Sequence, residues 1–263
     1  MNILSLQERK RQHEKIVMVT CYDYSSARII AEADIYMILV GDSAAMVMHG
    51  HANTLPITVA EMATHVRAVR RGAPGSFIIG DLPFLSFRRS LPETMEAVAQ
   101  LMQAGAEAVK LEGIAGNEDA IGHIVESGIP VMGHIGLTPQ SVNLLGGHRV
   151  QGRAEADRAR LKQEALACQQ AGCFALVLEC MPESLAAEIT AALAIPTIGI
   201  GAGADTDGQV LVMHDLLGLN LDFEPRFVRR YLDGKNLWLE AFNHYARDVR
   251  SGAYPAIEER YAE

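Results

Sequence analysis

The sequence contains few cysteines, no long hydrophobic run and no long basic run. Its four cysteines form no Cys-x-x-Cys pair and lie within apolar stretches, which indicates buried thiols rather than zinc ligands or disulfides. No apolar segment approaches the roughly 20 residues that a membrane-spanning helix requires, and the charged residues 1–15 do not resemble a signal peptide. We therefore expect a cytoplasmic protein without a membrane partner.

The charge balance argues against nucleic acid as a partner. The formal net charge is −9 at pH 7, whereas nucleic-acid-binding proteins normally carry a basic patch. With 49% hydrophobic and 21% charged residues, the composition is that of an ordinary globular protein. A chain of 263 residues without a low-complexity linker is predicted to form one domain over residues 1–263.

Apolar runs and helix-compatible segments alternate along the chain. Many of the helix-compatible segments begin with capping residues, such as Thr58 with Glu61 three positions later. We predict strands at residues 16–20, 36–40, 76–80, 106–112, 130–134, 175–179, 196–200 and 209–213. Eight strands separated mainly by helices favour a single closed (β/α)8 barrel, the TIM barrel, over an open doubly wound sheet. Residues 225–250 are predicted to form extra C-terminal helices outside the barrel.

Three acidic residues, Asp42, Asp81 and Glu112, lie at the ends of three successive predicted strands. The C-terminal ends of barrel strands meet at one face, which is where such barrels hold their active sites. Taken singly, each acid is as compatible with a structural role, in a helix cap or an ion pair, as with metal binding. Three carboxylates in close proximity, however, cannot all remain ionised without a cation. Because oxygen ligands suit a hard divalent metal, we predict that these residues bind Mg²⁺.

Further ionisable side chains are predicted at the same face. Lys110 lies two residues before Glu112, so both side chains share one side of the strand, and an ammonium there suits a substrate carboxylate or a developing enolate. Glu179 ends another strand among apolar neighbours, which favours a raised pKa and a general-base role. His134 is a second candidate for that role, and the residues alone do not decide between them. The Gly-rich residues 135–152 interrupt the alternation, and such long loops are usually functional or mobile.

Eight short motifs occur in order along most of the chain, and together they resemble the ketopantoate hydroxymethyltransferase family. The most specific is the run Gly-His-Ile-Gly-Leu-Thr-Pro-Gln-Ser-Val-Asn at residues 133–143. The others are Thr20-Cys-Tyr-Asp-Tyr-Ser, Leu39-Val-Gly-Asp-Ser43, Arg71-Gly-Ala-Pro74, Val109-Lys-Leu-Glu-Gly113, Val150-Gln-Gly-Arg153, Val177-Leu-Glu-Cys180 and Ile198-Gly-Ile-Gly-Ala-Gly203.

The resemblance implies a transferase of pantothenate biosynthesis. Such an enzyme transfers a hydroxymethyl group from 5,10-methylenetetrahydrofolate to the 2-oxo acid 3-methyl-2-oxobutanoate, and the product is 2-dehydropantoate. The resemblance also implies one Mg²⁺ per subunit and a homo-oligomer, typically a decamer. It places Asp42, Asp81 and Glu112 at the metal, directly or through water. It further places Asp42, Ser43, Asp81 and Lys110 at the oxo acid, makes Glu179 the catalytic proton acceptor, and leaves His134 a supporting role.

Two other readings of the residues stay open. Another Mg²⁺-dependent enzyme of 2-oxo acids, such as a carbon–carbon lyase or a phosphoenolpyruvate mutase relative, would also place acids at barrel strand ends. A non-catalytic barrel with a binding or assembly role is the alternative from a different class. It predicts that Mg²⁺ has no effect on ligand affinity and that Asp81→Ala is tolerated.

Overall fold

The computed structural model of the chain describes residues 2–147, 149–221 and 225–262. The contacts between residues divide the chain into two compact units, Met1–Val212 and Met213–Glu263. The first unit contains the barrel, and the second consists of helices and turns. The single domain expected over residues 1–263 stays a prediction.

Eight parallel strands form a closed barrel within the described part of the first unit. Neighbours in the chain are neighbours in the sheet, and the last strand pairs with the first, so the barrel has no open edge. This confirms the predicted TIM-barrel fold. The strands are β1 (Ile16–Thr20), β2 (Met37–Val40), β3 (Phe77–Asp81), β4 (Ala108–Lys110), β5 (Val131–Gly136), β6 (Ala175–Glu179), β7 (Thr197–Ile200) and β8 (Gly208–Leu211).

Several of the longer helices follow a strand and begin at a polar cap. Thr58 and Glu61 form the predicted capping box, in which each side chain accepts a hydrogen bond from the backbone N–H of the other. Ser90 and Glu93 form a second capping box. The helices of this unit are α1 (Ile3–Arg11), α2 (Tyr24–Ala31), α3 (Ala44–Val47), α4 (Val59–Gly72), α5 (Leu91–Ala104), α6 (Glu118–Glu126), α7 (Val142–Leu145), α8 (Glu155–Gln170) and α9 (Glu183–Ala192).

The N-terminal helix α1 has no counterpart in the sequence predictions. Its Leu6 is 1% exposed and belongs to the same buried cluster as Met18, Met37 and Phe77 inside the barrel. Lys10 of this helix donates a hydrogen bond to Asp207, directly before β8. Helix α1 therefore covers the N-terminal end of the barrel, opposite to the strand ends that carry the polar residues.

The second unit contains the short helix α10 (Met213–Leu216) and the long helix α11 (Gly234–Ser251). Helix α11 begins later than the predicted residue 225, because the preceding backbone pairs elsewhere. The N–H groups of Tyr231 and Gly234 donate to the carbonyls of Leu216 and Leu217, which leaves an irregular connection before the helix. No helix in the described ranges combines the length and the apolar character needed to cross a bilayer.

Candidate active site

The inner face of the barrel changes from apolar to polar along each of four strands. The buried cluster contains Ile79 of β3, Ala108 of β4, Met132 of β5 and Val177 of β6. Because side chains alternate between the two faces of a strand, the residue two positions later points the same way. Those four later residues are Asp81, Lys110, His134 and Glu179. The alternation thus places a polar layer directly above the apolar core, at the C-terminal ends of the strands.

Lys110 lies at the centre of this polar layer. It is 3% exposed, and its Nζ lies 2.9 Å from Asp81 Oδ1 and 3.3 Å from His134 Nδ1. Burial by itself lowers the pKa of Lys110, but the charges of Asp81, Glu112 and Asp42 outweigh burial and raise the pKa above its usual value. The ammonium therefore stays charged within the barrel.

The three predicted metal-binding acids all lie close to this ammonium and are all buried. Burial raises the pKa of Asp81 to about 7, while Lys110 lowers it and Asp42 raises it. Burial likewise raises the pKa of Asp42, and burial together with the Asp42 charge holds the pKa of Glu112 well above its usual value. One ammonium does not compensate three carboxylates, so the site favours an additional cation.

Gln140 contacts two of these acids, although the sequence did not single it out. Its backbone N–H donates to Glu112 Oε2 at 2.9 Å, and its side-chain Nε2 donates to Asp42 Oδ2 at 2.8 Å. The residue lies in a 3₁₀ turn, Pro139–Ser141, after β5. This turn belongs to the Gly-rich stretch 135–152, so the interruption of the alternation lies beside the predicted site.

His134 links Lys110 to Glu179. Burial holds the pKa of His134 well below its usual range, and the Lys110 charge lowers it further, so the ring is neutral. An ammonium only donates hydrogen bonds, so Nδ1 is the acceptor from Lys110 and the ring proton lies on Nε2. That nitrogen is 3.2 Å from Glu179 Oε2, but it is buried without a hydrogen bond among the described residues. Glu179 is the less enclosed partner, with 15% of its side chain exposed.

Ser43 lies at the end of β2 beside Asp42. Its Oγ is 2.8 Å from the hydroxyl of Tyr22, a residue that is 1% exposed. A Cβ at Gly41 would lie 2.9 Å from the same Oγ, so glycine leaves this hydroxyl room. Tyr22 is a second site residue that was not predicted from the sequence, although it lies within the motif Thr20-Cys-Tyr-Asp-Tyr-Ser.

A comparison with known protein families shows which family this chain belongs to. A sequence profile described as ketopantoate hydroxymethyltransferase matches residues 1–257. The chain belongs to the ketopantoate hydroxymethyltransferase family. It is therefore an enzyme, and more specifically a transferase, as the sequence motifs predicted.

Relatives in this family match along the whole chain. A protein of Bdellovibrio bacteriovorus is 56% identical over 260 residues, which cover 99% of both chains. A protein of Coxiella burnetii is 53% identical over 259 residues, covering 98% of this chain and 97% of the other. Both are named 3-methyl-2-oxobutanoate hydroxymethyltransferase.

Solved structures with the same fold are much more distant in sequence. Phosphoenolpyruvate phosphomutase of Streptomyces platensis has a TM-score of 0.65 at 13% identity, covering 100% of this chain and 92% of the other. Phosphonopyruvate hydrolase, solved with oxalate and Mg²⁺, has a TM-score of 0.63 at 11% identity, covering 98% and 92%. These similarities support the barrel fold alone.

The donor atoms in this family member fit a hard divalent cation. They are carboxylate oxygens with an excess of negative charge, and Glu112 Oε1 is buried without a hydrogen-bond partner among the described residues. Among the residues that the structure describes, no three His, Cys, Asp or Glu side chains lie close enough to one another to bind a metal by themselves. Water and substrate oxygens would therefore complete the coordination, as is usual for Mg²⁺.

The structure brings all seven predicted site residues to the C-terminal end of the barrel. Asp42, Asp81, Glu112, Lys110 and His134 form one buried group, while Glu179 and Ser43 lie at its more exposed margin. Proximity does not test what each residue binds, so the assignment of metal, substrate and proton-acceptor roles stays a prediction.

Proposed function

We propose that this enzyme transfers a hydroxymethyl group from 5,10-methylenetetrahydrofolate to 3-methyl-2-oxobutanoate and produces 2-dehydropantoate for pantothenate biosynthesis. The observation that carries the proposal is the buried group of three carboxylates around one charged lysine, with Glu179 beside it, in a member of this family. Such a group suits an anionic 2-oxo acid bound together with a divalent cation, because cation and ammonium offset the negative charges.

The oxo acid would bind between Lys110 and the end of β2. The Lys110 ammonium is held by Asp81 and His134, so it offers a fixed positive charge to a substrate oxygen. The Ser43 hydroxyl, oriented by Tyr22, is the proposed donor to the substrate carboxylate. Asp42, Asp81 and Glu112 would hold Mg²⁺ directly or through water, and the ion would supply Lewis-acid stabilisation of the substrate's developing negative charge.

Glu179 is the proposed base that removes the proton from C3 of the oxo acid. Its carboxylate lies at the exposed margin of the site, where the second substrate can approach, and His134 Nε2 lies 3.2 Å from it. The neutral ring carries its proton on the side of Glu179 and would donate it to the Glu179 carboxylate once the two groups align with substrate bound. Water hydrolyses the two C–N bonds of the folate's methylene carbon, which frees tetrahydrofolate and leaves that carbon bonded to the water oxygen. Carbon C3 then bonds to this carbon, and the proton that Glu179 took from C3 ends on the new hydroxyl.

Exchange of the C3 proton with solvent tests the role of Glu179 independently of metal binding. In deuterium oxide with Mg²⁺ and without folate, the wild-type enzyme should exchange the C3 proton of the oxo acid, followed by NMR. Glu179→Gln should abolish exchange and retain Mg²⁺ affinity. The exposed Glu126 on α6 is the matched control, and Glu126→Gln should exchange normally. Full exchange by Glu179→Gln would remove Glu179 from the role of base.

A product assay separates the proposed reaction from its alternatives. Purified enzyme, oxo acid, methylenetetrahydrofolate and Mg²⁺ should yield 2-dehydropantoate, and a chelator should stop the reaction. Aldol cleavage without folate dependence would favour a carbon–carbon lyase instead. A homo-oligomer, typically a decamer of this 28.5 kDa chain, and a cytoplasmic location remain parts of the proposal. Light scattering of the purified enzyme measures the number of subunits.

A further inference from the structure

Gln140 ties together the ends of three successive strands. Its side-chain Nε2 donates to Asp42 Oδ2 at 2.8 Å, after β2, and to the carbonyl of Leu82 at 3.0 Å, after β3. Its backbone N–H donates to Glu112 Oε2 at 2.9 Å, after β4. Gln140 itself comes from the turn after β5 and is 7% exposed.

The chemistry of these contacts leaves the amide one orientation. A carboxylate and a carbonyl only accept hydrogen bonds, so both side-chain contacts must come from the NH₂ group. The two amide hydrogens are therefore both used, and the Asp42 carboxylate is held against the backbone that directly follows Asp81. Charge-assisted hydrogen bonds of this kind are short and directional.

The same contacts decide which carboxylate oxygens remain available. Glu112 Oε2 is occupied by the Gln140 N–H, whereas Glu112 Oε1 is buried without a hydrogen-bond partner in the part of the chain that the structure describes. A buried, unpaired carboxylate oxygen is costly unless a ligand satisfies it. Gln140 thus turns one oxygen of Glu112 towards itself and leaves the other for a cation.

We propose that Gln140 is a positioning residue for the metal site. It holds Asp42 and Glu112 in the spacing and orientation that bind Mg²⁺ with the oxo acid. The inference rests on the proposed function, and it concerns a residue that need not touch substrate or metal. The hold on Asp42 depends on the side-chain amide, whereas the backbone N–H to Glu112 is kept in every variant. Met has a similar length but no donor, while Asn keeps the donor on a shorter side chain.

The test compares Mg²⁺ affinity in three single variants. Gln140→Met should raise the Kd for Mg²⁺, measured by calorimetry with the oxo acid present, by about 10- to 100-fold, the usual range for a lost outer-shell partner. Gln140→Asn should lie between Met and wild type. The exposed Gln103 on α5 is the matched control, and Gln103→Met should bind Mg²⁺ as wild type does.

A second readout separates positioning from general stability. High Mg²⁺ should restore C3 proton exchange in Gln140→Met, since weaker binding is overcome by concentration whereas a distorted fold is not. Unchanged Mg²⁺ affinity in a folded Gln140→Met would overturn the inference. If that variant does not fold, the same criterion applies to Gln140→Asn. If the wild-type enzyme neither exchanged the C3 proton nor formed product, the proposed function would be rejected. The comparison of Mg²⁺ affinities would still show whether Gln140 positions the metal site.

Discussion

Lys110 and Asp81 are register partners on β4 and β3, and Lys110 Nζ lies 2.9 Å from Asp81 Oδ1. Both side chains are almost completely buried, at 3% and 1% exposure. A buried ion pair of this kind contributes little when intact, but removal of one partner leaves an uncompensated charge. Here three buried acids would lose the ammonium that favours their ionised form, which makes the lysine a structural requirement as well as a proposed substrate ligand.

Replacement of Lys110 by Met should therefore destabilise the protein. We expect a loss of about 3–5 kcal/mol in the free energy of unfolding, the range for breaking a buried pair. Urea denaturation at neutral pH with a chelator measures it, since the chelator prevents a metal from replacing the missing charge. The half-exposed Lys162, paired with Glu188, is the control, and Lys162→Met should change stability little. If Lys110→Met were as stable as Lys162→Met, Lys110 would not be required to offset the buried acids.

Mg²⁺ should stabilise the folded enzyme because the ion offsets charge that Lys110 alone does not. At about 100 times its Kd, a ligand that binds only the folded state adds about 2.7 kcal/mol to the free energy of unfolding. Thermal or urea unfolding with and without Mg²⁺ measures this gain. Asp81→Asn should lose most of the gain. Stabilisation of that variant equal to wild type would exclude Asp81 from the metal site.

His134 should affect proton transfer through its contact with Glu179. Replacement by Phe keeps the ring volume but removes both nitrogens, so Glu179 loses the group that lies 3.2 Å from its Oε2. A hydrogen bond from His134 Nε2 to the Glu179 carboxylate in the substrate complex is worth roughly 1.5–3 kcal/mol, so the rate of C3 exchange should fall by about tenfold or more. Exchange kinetics by NMR measure this change.

The control for that prediction is the exposed His123 on α6. His123→Phe should leave the exchange rate unchanged. An unaltered rate in His134→Phe, in a folded protein, would show that Glu179 does not depend on His134 for its position.

Gly41 should be sensitive to a single methyl group. A Cβ there would lie 2.9 Å from Ser43 Oγ and 3.8 Å from Asp81 Oδ2, so Gly41→Ala must displace the serine hydroxyl from its contact with Tyr22. We expect a higher KM for the oxo acid with a smaller change in kcat, because the displaced group is a proposed binding residue. Steady-state kinetics measure the two constants separately.

Gly122 in α6 is the matched control for this substitution. A Cβ at Gly122 meets nothing within 4 Å, so Gly122→Ala should stabilise the helix by about 0.5–1 kcal/mol and leave KM unchanged. If Gly41→Ala also left KM unchanged, the Ser43 hydroxyl would not bind the substrate.

The barrel could be predicted because most of its strands are buried on both faces. Such strands form short apolar runs, and β1 and β6 begin and end as predicted. The other strands differ by a few residues at their ends, where burial no longer distinguishes strand from loop. Helix α1 was not predicted, because its sequence is mostly polar and charged and only Leu6 is buried against the barrel.

The sequence by itself determined which acids and bases meet at one end of the barrel, because alternation along a strand and the parallel direction of the strands place them there. Only the tertiary structure decided how they pair. Gln140 is 98 residues from Asp42 and 28 from Glu112, and its contacts depend on the path of a turn that no periodicity encodes. The neutral state of His134 likewise depends on burial and on the Lys110 charge, which exist only once the barrel has closed.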